Sequence, residues 1–127
     1  MNTDTEEPIY KLESRQIVGA AMEVLNAVVH GFHEKPYENA LVVEFRLRGI
    51  SYQQQRQFDI FYKNEKVGNY VPDLIVHEKV VVDTKVIEGI TDRDVGQMWN
   101  YLKISGSHLG YILNYKHSKL NWKRVIK

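Results

Sequence analysis

Residues 71–86 read Val-Pro-Asp-Leu-Ile-Val-His-Glu-Lys-Val-Val-Val-Asp-Thr-Lys-Val. His77 and Glu78 interrupt two apolar runs, which predicts a tight turn between two antiparallel strands. Four valines fall within residues 79–86. Such a run is expected to be buried on both faces, inside a sheet. Asp73 stands four residues before the turn and Asp83 five after it. In a hairpin those positions come out nearly opposite each other. Cross-strand neighbours have Cβ atoms roughly 4.5–5.5 Å apart, and like charges there destabilise a sheet. Two carboxylates in that position can share a divalent ion. Oxygen donors of this kind suit Mg²⁺ or Mn²⁺. Lys85 follows Asp83 by two, so both side chains leave the same face of the strand. A lysine there can position or deprotonate an attacking water, or steady negative charge on a phosphate.

Outward from this hairpin the period changes. Upstream, Ile17, Ala20, Ala21, Val24, Leu25 and Val28 recur at three and four residues. They predict an amphipathic helix over 14–29, capped by Ser14 and ended near Gly31. A second helix is expected over 35–48, with Pro36 in its first turn and Gly49 as its stop. Tyr37, Ala40, Leu41 and Phe45 form its buried stripe, with Leu47 or Val43 at the margin. Ile50, Tyr52, Phe58, Ile60 and Tyr62 then follow at even spacing, so 50–63 reads as a strand. Asn64 and Glu65 read as a turn, and 67–76 as the next strand. Downstream, Thr91 and Asp94 suggest a capping box for a helix over 92–104, closed by Gly106. Val95, Met98, Trp99 and Leu102 form its apolar face. Strands are expected over 108–114 and 120–126. The order is helix, helix, three strands in a meander, helix, strand, strand. It predicts an α/β (mixed α+β) domain with a mixed sheet and helices packed on it.

Several chemistries are excluded. The chain of 127 residues contains no cysteine, which removes thiolate metal sites and thiol nucleophiles together. No HExxH or HxxxH spacing occurs, so a zinc hydrolase is poorly supported. There is no GxSxG elbow, no GxxxxGK[ST] loop and no GxGxxG loop. Seventeen basic and sixteen acidic residues leave a net charge of +1, too little for a protein that coats nucleic acid. The charge is uneven, however. Asp4, Glu6 and Glu7 lie near the start, and Lys116, Lys119, Lys123, Arg124 and Lys127 crowd the end. A basic end can attract phosphate, although a solvated face explains it equally well. A single domain over 1–127 is expected, with 1–10 a loosely packed N-terminal segment. No apolar run reaches the roughly 20 residues of a membrane span, and no secretory signal is visible, so a cytoplasmic location is expected.

Pro72-Asp73, then Asp83-Thr84-Lys85, resembles the core of the PD-(D/E)XK nuclease superfamily. Gly31-Phe32-His33-Glu34-Lys35-Pro36-Tyr37 resembles the signature of its GxxExxY branch, a small bacterial family. Gln97-Met98-Trp99-Asn100-Tyr101 is similar to the QxxxY motif that follows the core in some members. Gly110 and Asn114 match the glycine and asparagine of a terminal strand. The resemblance spans about 14–126. It implies a restriction-endonuclease-like core with a central mixed sheet of about four to five strands flanked by helices. It also implies Mg²⁺- or Mn²⁺-dependent hydrolysis of phosphodiester bonds in nucleic acid, with DNA the expected substrate. Under it, Asp73, Asp83 and Glu34 would bind metal, with the Val86 carbonyl as a further ligand. Lys85 would be the catalytic lysine, and Gln97 and Tyr101 would orient it or touch phosphate. The chain departs from the branch in having Asp83 where Glu is commoner, and Thr84 where an apolar residue is commoner. A binding module on the same fold, and a homodimer, remain open alternatives.

Overall fold

The structure, a computed structural model, describes residues 10–127. The expectation for the N-terminal segment therefore falls almost wholly outside the described residues. Helix α1 spans Lys11–Val28 and α2 spans Glu34–Arg48. Strands β1 (Tyr52–Gln54), β2 (Phe58–Tyr62), β3 (Glu65–Tyr70), β4 (Leu74–Val76) and β5 (Val80–Lys85) follow. Helix α3 covers Asp92–Ser105, and β6 (Leu109–Asn114) and β7 (Asn121–Ile126) complete the order. The main sheet runs β1-β4-β5-β6-β7. Only β5 and β6 are parallel, joined through α3, and the other pairs are antiparallel. The mixed five-stranded sheet with flanking helices is the architecture expected from the sequence.

The valine run explains the centre. Val80, Val81 and Val82 have no exposed surface, because β5 pairs on both edges and is covered on both faces. Val80 and Val82 join Leu74, Val76, Leu109, Tyr111 and Leu113 against α1 and α2. Val81 joins Ile75, Ile112 and Val125 against Met98 and Leu102 of α3. The alternation of a strand thus assigns Asp83 and Lys85 to the α3 face. Gly110 lets α3 approach that closely. A Cβ there would meet Met98 Sδ at 2.6 Å and Leu102 Cδ2 at 3.2 Å.

Several expectations are corrected. The stretch 50–63 is two strands in two sheets, divided at Gln55, which has φ of 59°. Residues 67–76 also divide, because Pro72 has no N–H for a ladder and the chain leaves the strand there. The pieces β2 and β3 pair only with each other, as a separate hairpin. There is accordingly no three-stranded meander. The hairpin turn lies at Lys63 and Asn64, both left-handed, and Glu65 already belongs to β3.

Ser14 is not the cap of α1. Tyr10 precedes the helix in a left-handed conformation, and Ser14 is buried one turn inside. The helix ends before Gly31, at Val28. On α2, Val42 is buried while Val43 and Leu47 are exposed, which places the stripe one position away from its expected margin. Trp99 is also exposed, with the Lys127 ammonium over its ring. The capping box of Thr91 and Asp94 and the left-handed stops at Gly49 and Gly106 are all present.

Tyr37 belongs to the core. Its ring stacks on Tyr115 at 4.4 Å and 3°. Its hydroxyl donates to the Val29 carbonyl at 2.7 Å and accepts from the Phe32 N–H at 2.9 Å, fixing the turn between α1 and α2. Tyr37→Phe is expected to lower stability by about 1–2 kcal/mol in urea unfolding, because two backbone groups lose a partner. An unfolding midpoint equal to wild type would contradict this role.

Candidate active site at the end of β4 and β5

The register of the central hairpin builds the site. Leu74 stands opposite Val82. One step further, where β4 has ended and β5 continues, the side chains of Asp73 and Asp83 come within hydrogen-bonding reach of each other. Both aspartates are half-buried. Thr84 secures the first of them. Its N–H donates to Asp73 Oδ2 at 2.8 Å and its hydroxyl donates to the same oxygen at 2.9 Å. The Asp73 carboxylate thus takes a sheet N–H that β4 no longer covers. Lys85 Nζ lies 3.1 Å from Asp83 Oδ2.

The electrostatics follow from this packing. Burial, and then the charge of Asp73, push the Asp83 carboxyl up to about 7, with Lys85 opposing the rise. Burial acts against the Lys85 ammonium. The charge and hydrogen bond of Asp83, with Asp94 and Tyr101 adding to them, outweigh it and hold the lysine above its usual range. Lys85 is therefore a cation at neutral pH in this arrangement. Two opposed carboxylates, one of them reluctant to ionise, with oxygen donors only, fit a hard divalent cation.

Tyr101 joins this group. Its ring stacks on Tyr70 at 3.8 Å and 12°, tying α3 to the end of β3. Burial, then Asp83, raise the titration of both phenols. The Tyr70 hydroxyl is buried and makes no hydrogen bond. Sequence reading passed over Tyr70, although its place three residues before Asp73 was the available signal. Gln97 is exposed one turn before Tyr101. With Ile87, Gly89, Thr91, Arg93 and Asp94 it lines a cleft of about 500 Å³. Val86 follows β5 and packs partly against the core. The Asn114 side chain holds the next residue. It accepts from Ile87 N–H at 3.0 Å and donates to Ile87 O at 2.8 Å.

Glu34 stands exposed at the first residue of α2. Among the described residues, no group of three His, Asp or Glu side chains is gathered for a metal. Glu38, one turn later, is the buried carboxylate of α2. It accepts from Gln54 Nε2 at 2.7 Å and Gln55 Nε2 at 2.9 Å. Gln55 also donates its N–H to the Asp73 carbonyl at 3.1 Å. One residue thus connects Glu38 to Asp73. Helical spacing from Glu34 was the signal that could have found it.

A family model described as the PD-(D/E)XK nuclease superfamily matches residues 11–125, and the chain belongs to that superfamily. No curated protein matches the chain. Among solved structures, the one described as "Crystal structure of SSO0001" is similar at a TM-score of 0.55 and 12% identity. The match covers 93% of this chain and 57% of that one, so this chain spans somewhat over half of its length. At that identity the likeness concerns the fold alone. Among the described residues, no helix is long and apolar enough to cross a membrane.

A pH dependence follows. The Asp83 carboxyl titrates at about 7 when folded, against an ordinary 3.8. Between those values the folded chain holds a proton that the unfolded chain has lost. Ion-free stability should therefore fall as pH rises from about 4 to 7, and its Asp83 component should level off above 7. Asp83→Asn should remove that part of the slope. Parallel slopes for wild type and variant in urea melts across this range would contradict the assignment.

Proposed function

We propose that this chain is a divalent-metal-dependent nuclease that hydrolyses phosphodiester bonds, with DNA as its substrate. The observation that carries this reading is the opposition of Asp73 and Asp83 with Lys85 on the same strand and face. A nucleic-acid substrate is what membership of the superfamily implies. Gly31, Glu34 and Tyr37 support placement in the GxxExxY branch, and the cysteine-free composition suits the cytoplasm.

Asp73, Asp83 and the Val86 carbonyl would hold Mg²⁺ or Mn²⁺, with Glu34 or Glu38 contributing from α2. When bound, such an ion supplies Lewis acidity toward the scissile phosphate. Lys85 would present its ammonium to the negative charge growing on phosphorus oxygens and orient the attacking water. The water oxygen bonds to phosphorus and gives up a proton to solvent as the ester P–O bond breaks, and the leaving oxygen takes up a proton from solvent. Tyr101 and Gln97 would face the phosphate chain from α3.

Asp73→Ala and Lys85→Ala should each lower cleavage of single- or double-stranded DNA in Mn²⁺ by at least about a hundredfold. Circular dichroism should show both folded. Asp73→Ala should also lose Mn²⁺ binding in calorimetry. Cleavage at the wild-type rate by either purified variant would refute its assignment. A wild type that binds Mn²⁺ and oligonucleotide yet cuts neither DNA nor RNA would favour a binding module on this fold.

A further inference from the structure

The middle residue of Asp83-Thr84-Lys85 has a use of its own. Strand alternation sends its side chain to the face opposite Asp83 and Lys85, where it is 3% exposed. Its N–H and hydroxyl nevertheless converge on one atom, Asp73 Oδ2, at 2.8 and 2.9 Å. A carboxylate oxygen offers about two lone-pair sites. Both sites of Oδ2 are then taken, and Oδ1 is the oxygen left for a cation.

We propose that Thr84 is a positioning residue that holds Asp73 in a one-oxygen binding mode and so selects a small octahedral cation over a large one. The inference rests on the metal-site reading above but not on cleavage. Mg²⁺ and Mn²⁺ suit single carboxylate oxygens in octahedral geometry. Ca²⁺ takes six to eight oxygens and accepts carboxylates through both atoms. An Asp73 fixed through Oδ2 cannot swing to offer both. Free rotation would serve Ca²⁺ and would cost order for the smaller ions.

Calorimetric titration of the full chain with Mn²⁺, and separately with Ca²⁺, tests this on wild type, Thr84→Val and Thr84→Ser. Valine keeps the buried methyl shape and loses the hydroxyl, while serine keeps the hydroxyl. Thermal melts establish that each variant is folded at the titration temperature. Wild type should prefer Mn²⁺ to Ca²⁺. Thr84→Val should bind Mn²⁺ about ten- to a hundredfold more weakly, the usual effect of removing a hydrogen bond behind a metal ligand. Its preference for Mn²⁺ should narrow, and Thr84→Ser should stay close to wild type. Equal Mn²⁺ affinity in wild type and Thr84→Val overturns the role of Thr84 and leaves the aspartate pair standing. Failure of Thr84→Ser beside Thr84→Val also overturns it, because methyl packing would then be the cause. A wild type that binds neither ion overturns both the inference and the metal-site reading. Absence of cleavage with Mn²⁺ bound bears on the nuclease reading alone.

Discussion

The register between β4 and β5 is the constraint on which everything else rests. Slipping that pairing by one residue would turn each strand over, because side chains alternate with a period of two. Val80, Val81 and Val82 prevent it. All three are buried, two against α1 and α2 and one against α3, so no slipped register could satisfy both cores. The turn adds its own restriction, with His77 and Glu78 both left-handed. A consequence of this rigidity is that Asp73 and Asp83 cannot relax apart. The apolar sheet imposes a like-charge contact that the chain would otherwise avoid, and a bound proton or cation is what relieves it.

Much of this was readable locally. The valine run, the central turn, the Thr91–Asp94 capping box and the glycine stops each follow from a few adjacent residues. Asp73, Asp83 and Lys85 were legible for the same reason, since a hairpin reduces their geometry to counting from one turn. What the sequence concealed is non-local. A period of two is the same whichever sheet a strand enters, so the pattern from Ile50 to Tyr62 could not reveal that β1 joins the main sheet while β2 joins β3. Nor could helical spacing on α2 say that Glu38 is buried and Glu34 exposed, because Gln54 and Gln55 approach from another element. Thr84 was invisible as a candidate because its partner, Asp73, lies across the hairpin on another segment.

The motif residues divide their labour. The contacts of Gly31, Tyr37, Gly110 and Asn114 are structural. Tyr37 closes the turn between α1 and α2, and Gly31 donates its N–H to Tyr115 O at the same place. Gly110 seats α3 on the sheet, which brings Tyr101 to Tyr70 and Asp83. Asn114 pins Ile87 and accepts from Lys116 N–H, fixing the chain as it leaves β5. Asp73, Asp83 and Lys85 therefore sit at strand ends held by packing, hydrogen bonds and a helix.

This division bears on how such a fold relates to activity. Both hydrophobic clusters, the α3 capping box and the glycine contacts involve neither aspartate. The fold thus depends little on the pair, whereas the pair depends on the fold for its opposition and for the burial that perturbs Asp83. The dependence runs one way, so fold membership alone is a weak guide to activity. The state of the pair itself is the stronger guide. A site that had drifted toward binding alone would be expected to shed the cost of two opposed carboxylates, since replacing one by a neutral residue removes a repulsion. Here both acids are present, Thr84 gives two donors to one of them, and Lys85 is directed at the other. That concentration of polar side chains at one sheet end is the arrangement on which the proposed metal site rests.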